Sequence, residues 1–316
     1  MEWKAQSEMK TKSIIFAATL LFAVVASSHA SGQYAYTTIE DPLAVGFTSP
    51  IGIDGKNIVG YYFDAIGNTH GFVYDGITYK TLDNPLVGSF GTLPIGISGG
   101  NIVGYYYDTS NHPHGFLYNG NTYTNLNAPS ADVTFAEGID GSKIVGDYLD
   151  AAGNTHGFVY DGITYTTIDA PLGVATTLSG ISGRNIVGSY SDASDNVHSF
   201  LYDGTTYTPL DDPLGVTGTY VRGISGSNIV GFYDDASGHS HGFLYNGTTY
   251  TTFDDPLGDG DGTFAKGISA GNIVGAYADA SGKNHGFVAS PLPEPSVTAM
   301  LASGLAAMLS LSLIHI

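Results

Sequence analysis

The chain contains no cysteine, so neither disulfide bridges nor thiolate metal sites can contribute to it. Positive charge is scarce too: 10 Lys and Arg stand against 29 Asp and Glu, a formal net charge of −19. That sign argues against a nucleic-acid partner, because phosphate binding requires the opposite field; it favours solubility and attraction of cations. The only tryptophan is Trp3, near the N-terminus. No nucleophile with an adjacent base, no catalytic carboxylate pair and no phosphate-binding loop stands out, so no motif points to catalysis. Glycine (44) and tyrosine (22) are abundant, the profile of a turn-rich all-β chain and not of a helical or disordered one.

The first thirty residues read as a secretory signal. Lys4, Lys10 and Lys12 form a basic region, residues 13–26 an apolar stretch, and Ser28-His29-Ala30 places small residues where cleavage after Ala30 would occur. The stretch is short for a bilayer span, the other reading of such a segment. Its removal leaves 27 acidic residues against 7 basic ones, a net charge of about −20.

Residues 34–290 are dominated by self-similarity. A Gly-Ile recurs at Gly52, Gly96, Gly138, Gly180, Gly223 and Gly267, each followed by a turn and Ile-Val-Gly. A His-Gly-Phe recurs at His70, His114, His156, His198, His241 and His285, with Ser199 in the glycine place once; successive spacings are 44, 42, 42, 43 and 44 residues. Each unit of about 43 residues divides into four short strands: one ending in Gly-Ile, a second of the type Asn-Ile-Val-Gly-Tyr-Tyr, a third beginning at His, and a fourth running Thr-Tyr-Thr-Thr to a proline. Pairs such as Asp75-Gly76 and Asn119-Gly120 between the third and fourth strands predict two-residue type I′ hairpins. Three residues before each His stands Gly67, Asn111, Gly153, Asp195, Gly238 or Gly282, a choice that marks a left-handed backbone position.

The second strand is apolar on both faces, as expected where both faces of a sheet are covered. Stacked blades of a propeller meet that condition. The chain opens on a copy of the fourth strand (Tyr36 to Pro42) and closes on a third strand, His285-Gly286-Phe287-Val288, leaving through Ala289-Ser290-Pro291. The two ends complete one unit, which predicts a closed six-bladed β-propeller of four-stranded repeats, sealed by the N-terminal strand so that no edge is left open. On the His-Gly-Phe cores the units resemble the HAF family of probable extracellular repeats, a resemblance that implies an extracellular context and carries no catalytic residues.

Six Asp residues, Asp64, Asp108, Asp150, Asp192, Asp235 and Asp279, each precede a His by six positions. They allow a metal reading, but six identical copies point to turns whose Asp accepts backbone N–H groups, with the His bonding across the hairpin. The acidic loop carrying Asp254, Asp255, Asp259 and Asp261 is the calcium candidate, since hard cations take clustered oxygen ligands; a solvated turn is the other reading. Immediately before each Gly-Ile the copies differ: Ile51, Ile95, Glu137, Ser179, Arg222 and Lys266. With the first strand innermost, these residues line the central channel or its rim, where Glu137, Ser179, Arg222 and Lys266 form the candidate site; drift among half-exposed positions is the alternative. Tyrosines such as Tyr61, Tyr62, Tyr79, Tyr165 and Tyr250 are expected to pack the blades.

Pro293-Glu294-Pro295 followed by an apolar segment to the C-terminus resembles the PEP-CTERM sorting signal, which implies export, processing by an exosortase-type enzyme, transient membrane anchoring and an exopolysaccharide or biofilm setting. The basic cluster that ends such signals is absent, and residues 311–316 match the in-frame translation of a sequencing adaptor. A plain C-terminal anchor is the alternative. Taken together, the expectation is an exported surface or matrix protein acting as a non-catalytic interaction scaffold for envelope glycans or proteins. The alternatives are a propeller enzyme acting on extracellular polysaccharide and a calcium-binding matrix component.

Overall fold

The structure, a computed structural model, describes residues 28–31, 33–194, 196–258 and 262–293. They form six antiparallel sheets arranged as a six-bladed β-propeller. The first blade consists of Thr48–Asp54, Asn57–Phe63, Thr69–Tyr74 and Tyr79–Thr81. The next four repeat that order, their innermost strands being Thr92–Ser98, Ala131–Asp140, Ala175–Ser182 and Gly218–Ser225. The sixth contains Thr263–Ser269, Asn272–Ala278 and Asn284–Pro291, and its fourth strand is Tyr34–Ile39 from the other end of the chain. Ser28–Ser31 adds one more strand outside it.

The ring therefore closes as expected, with one correction. The last strand does not stop at Val288 but continues to Pro291, because its partner comes from the N-terminus and no turn is needed: Tyr34 pairs with Pro291 and Ile39 with Gly286. Tyr34, Tyr36 and Ile39 are buried in the closing blade. Glu40, just past the closing strand, meets His285 where Asp83, Asp169 and Asp254 meet the His of their own blades.

Packing explains the two-faced second strand. Its Ile and its Val point into different inter-blade cores: Val59 packs with Ile102 and Phe116 of the next blade, and Val274 of the last blade packs with Ile58 and Phe72 of the first. Phe72, Phe116 and Val59 have no solvent exposure, and each such side chain contributes about 1.5–3 kcal/mol of transfer free energy.

The hairpins carry a second correction. Between the third and fourth strands only the glycine has positive φ (Gly76 +93°, Gly120 +95°), whereas a type I′ turn needs positive φ at both central residues. The Asp75 N–H donates to Thr78 O, and the Asp75 carboxylate accepts from the N–H groups of Ile77 and Thr78. The turn is thus centred on Gly76-Ile77, with Asp75 as its cap. The left-handed position before each His is confirmed at Gly67, Asn111, Gly153, Gly238 and Gly282; Asp195 lies outside the described residues.

Strand direction fixes two faces. Innermost strands begin on one face, here the mouth, and third strands run the same way and end on the opposite face. Tyr34 and Pro291 pair there, so the C-terminal end of the described chain leaves opposite the mouth, while Ser28–Ser31 turns back beside Tyr34–Thr37.

Candidate functional site

In every blade the innermost strand carries a β-bulge, and the bulged residue is the one that differs between copies. Pro50 pairs with Gly60 and Gly52 with Val59, leaving Ile51 unpaired. The same shift isolates Ile95, Glu137, Ser179, Arg222 and Lys266. A bulge re-aims a side chain out of the pleat, and here all six line the central channel. The repeated glycines make this possible. A Cβ on Gly60 would lie 2.1 Å from Ser49 O, so the Gly of Ile-Val-Gly lets the bulged strand fold over its neighbour. A Cβ on Gly52 would lie 2.4 Å from Ile95 O of the next blade, and one on Gly267 2.4 Å from Ile51 O, so the Gly of Gly-Ile lets the innermost strands meet around the axis.

On the mouth side of these glycines the channel widens into a funnel of about 340 Å³. Its charged members are Glu137, Arg222 and Lys266. Its aromatic walls are Tyr61, Tyr105, Phe232 and Phe264. The expectation that Tyr61 merely packs a blade is thereby corrected, since it follows the Gly of Ile-Val-Gly and faces the lumen; Tyr62, Tyr79, Tyr165 and Tyr250 do pack in the inter-blade cores. Arg222 lies over Phe232, with Cζ 5.5 Å from the ring centroid, and Phe232 meets Phe264 edge-on at 5.1 Å. Lys266 Nζ donates to the Oγ of fully buried Ser49 at 2.7 Å.

Loss of water dominates the electrostatics. Burial pushes Glu137 up to about 7, the charge of Arg222 only partly opposing it. Burial, aided by repulsion from Arg222, brings Lys266 down to about 8. Asp147, 8% exposed, is raised well above the usual carboxylate range by burial and by Glu137. Sequence reading passed over Asp147. It occupies the position of Tyr61, Tyr105, Ser189, Phe232 and Ala276 in the other blades, and that variation was the available signal.

The recurrent Asp and His form a brace outside the channel. Asp64 accepts from the N–H groups of Ile66 and Asn68 and faces His70 Nε2 at 3.3 Å, while Asp83, just past the fourth strand, faces His70 Nδ1 at 2.8 Å. His156 is held likewise between Asp150 and Asp169, and His241 between Asp235 and Asp254. Of the calcium candidates, Asp254 is thus engaged by His241, and the Asp255 carboxylate accepts from Leu257 N–H. Asp259 and Asp261 lie outside the described residues. So do Glu294, Pro295 and residues 1–27; Pro293 is the last described residue. Among the described residues no three His, Cys, Asp or Glu side chains are grouped to hold a metal ion.

No family model matches the chain, and no curated protein does. Solved structures do. A triple arginine-to-alanine mutant of AofleA from Arthrobotrys oligospora is 12% identical over 83% of this chain and 89% of that one, with a TM-score of 0.50. A fucose-recognising six-bladed lectin from Aleuria aurantia is 16% identical over 65% and 77%, with a TM-score of 0.43. The β-propeller domain of a protease from Pyrococcus furiosus is 12% identical over 78% and 82%, with a TM-score of 0.46. At these identities the likeness is one of fold alone.

Proposed function

We propose that this chain is a non-catalytic carbohydrate-binding scaffold of the cell envelope or its matrix, with the funnel as its binding site. One observation carries the reading: six bulges free six side chains, of five kinds, from the sheet and bring them, with four aromatic rings, into one concave site. Pyranose rings present apolar faces that stack on aromatic side chains and hydroxyls that pair with Glu, Ser, Arg and Lys. An apolar-walled cleft with a few convergent polar groups is the usual form of a ligand site. The expected export, through the signal at residues 1–30 and a C-terminal sorting segment handled by an exosortase-type enzyme, fits the topology. The C-terminal end of the described residues leaves on the face opposite the mouth, so a chain tethered by its C-terminal segment presents the funnel outward.

The second reading, an enzyme acting on extracellular polysaccharide, is favoured by Glu137, whose carboxyl near 7 suits a general acid. Its geometry is less suited. Glycoside hydrolysis needs two carboxyl groups flanking the scissile bond, yet Glu137 and Asp147 stand on adjacent strands of one blade, along a single wall.

A glycan array probed with the full chain, run beside a reducing-end release assay on the glycans bound, tests both. The expected result is binding that Phe232→Ala removes, with no reducing ends released. Absence of binding to every glycan overturns the proposal. Release of reducing ends that Glu137→Gln abolishes establishes the second reading instead.

A further inference from the structure

Positive charge is scarce in this chain, with 10 Lys and Arg against 29 Asp and Glu, yet two of the cations occupy the equivalent bulged position on neighbouring blades and face one funnel. Neither is held in an ion pair. Among the described residues no carboxylate lies within 4.0 Å of Arg222 or Lys266. Lys266 is held by a neutral hydroxyl, that of Ser49, and Arg222 by the face of Phe232. Two like charges on adjacent bulges repel each other, as Lys266 registers, and an anion bound between them relieves that repulsion.

The facing wall limits what that anion is. Glu137 shares the funnel, with Asp147 behind it, 8% exposed and with no hydrogen bond from any described residue. Burial raises both carboxyl groups, and they offer hydrogen-bonding partners to hydroxyl groups. A single carboxylate on a polyhydroxylated ring meets both walls, its charge at the two cations and its hydroxyls at the carboxyl groups. The aromatic walls suit the apolar face of the same ring.

We infer that the funnel selects an acidic sugar of single negative charge, a hexuronic acid unit, whose carboxylate bridges Arg222 and Lys266 while its hydroxyls turn toward Glu137 and Ser179. The inference rests on the carbohydrate-binding reading and narrows it to one sugar class. Charge-assisted bonds from a guanidinium and an ammonium to one carboxylate are the strong kind of polar contact, and they are absent for a neutral sugar of the same shape.

The test is calorimetric titration of the full chain with a uronic acid trisaccharide and with the same trisaccharide after reduction of its carboxyls to primary alcohols. The acidic form is expected to bind at least tenfold more tightly. Lys266→Ile and Arg222→Ile are each expected to lose about tenfold more affinity for the acidic form than for the reduced form, so that the preference for the acidic form disappears. Both variants place at the bulge the residue already accepted there as Ile51 and Ile95, and thermal melting verifies their folding. Equal affinity for the two trisaccharides, or retention of the preference in both variants, overturns the inference while the carbohydrate reading stands. Failure of both trisaccharides while other array glycans bind also overturns it; failure of every glycan brings down the broader reading with it.

Discussion

Two sets of positions lie side by side at each bulge, and they behave in opposite ways. The glycines of Gly-Ile and Ile-Val-Gly are the same in all six blades, because a Cβ at either would meet backbone at 1.9–3.3 Å. The residue between Pro50 and Gly52, and its five counterparts, is Ile, Ile, Glu, Ser, Arg and Lys. The first set builds the bulge and the second is what the bulge releases. A residue outside the pairing ladder, pointing into a lumen, meets few packing demands and is free to differ. Invariance within the repeat thus marks the frame, and variation marks the surface available to a ligand.

The largest way to break the frame is to remove the strand that closes it. Deleting residues 28–41 discards Tyr34, Tyr36 and Ile39, all buried, at a cost of roughly 5–9 kcal/mol. This is comparable to the whole stability of a domain. The expected outcome is loss of cooperative melting by circular dichroism; a midpoint equal to the intact chain's refutes closure. Next comes the glycine ring, where the close approaches are unequal. Gly267→Ala meets Ile51 O at 2.4 Å and is expected to cost about 3 kcal/mol, while Gly180→Ala, whose nearest neighbour is Arg222 O at 3.3 Å, should cost under about 1 kcal/mol. Denaturant midpoints that rank the two the other way contradict the packing described.

The His–Asp brace should show a smaller effect, dependent on pH. At His70 and His241 partial burial opposes the charge, but hydrogen bonds and charges from the paired carboxylates outweigh it. At His156 the hydrogen bond from Asp169 leads. All three are raised. A His raised in the folded state contributes stability that is complete below its unfolded value of about 6.5 and is lost as pH rises through the folded value. Glu137 acts in the same direction, its contribution present below the unfolded 4.5 and lost through about 7. The midpoint of the intact chain should therefore fall between pH 6 and pH 8, and fall less in the triple variant His70→Gln, His156→Gln, His241→Gln. Identical slopes would show that the brace carries no charge linkage. The capping aspartates behave oppositely: hydrogen bonds from Asn154 hold Asp150 at about 2, so its contribution is present above the unfolded 3.8 and lost as pH falls toward 2.

The smallest expected effect is a gain. Where five blades place a glycine at φ between +56° and +64° in the turn after the innermost strand, the sixth has Ala270 at +49°. The five glycines donate their N–H to a Ser or Asp of a neighbouring blade, among them Gly55 to Ser269 Oγ across the ring closure. Ala270→Gly should stabilise by about 1 kcal/mol through relief of the left-handed strain; an unchanged or lowered midpoint contradicts this.

Much of the frame was legible because repetition exposes it. Five His-Gly-Phe cores and one His-Ser-Phe at steady spacing, and an N-terminal fourth strand facing a C-terminal third strand, determine blade number and closure. The Asp caps followed from turn chemistry. The bulge was hidden, since nothing in the letters distinguishes a paired residue from a released one, although the repeated glycines on either side of it were its physical precondition. Tyr61 was misread for the same reason: Tyr61 and Tyr62 are neighbours in sequence, yet alternation sends one to the lumen and the other to the core. Asp147 was missed because one acidic residue among 29 carries no signal until its counterparts in the other blades are aligned beside it.

The central claim is that ligand binding resides in the released residues and stability in the frame. Replacing Glu137, Arg222 and Lys266 together by Ile repeats in three blades what Ile51 and Ile95 already do in two. Thermal melting and glycan binding of this variant should separate, with the midpoint kept or raised and binding lost. Binding of the same glycans at unchanged affinity would place the site elsewhere and contradict the account.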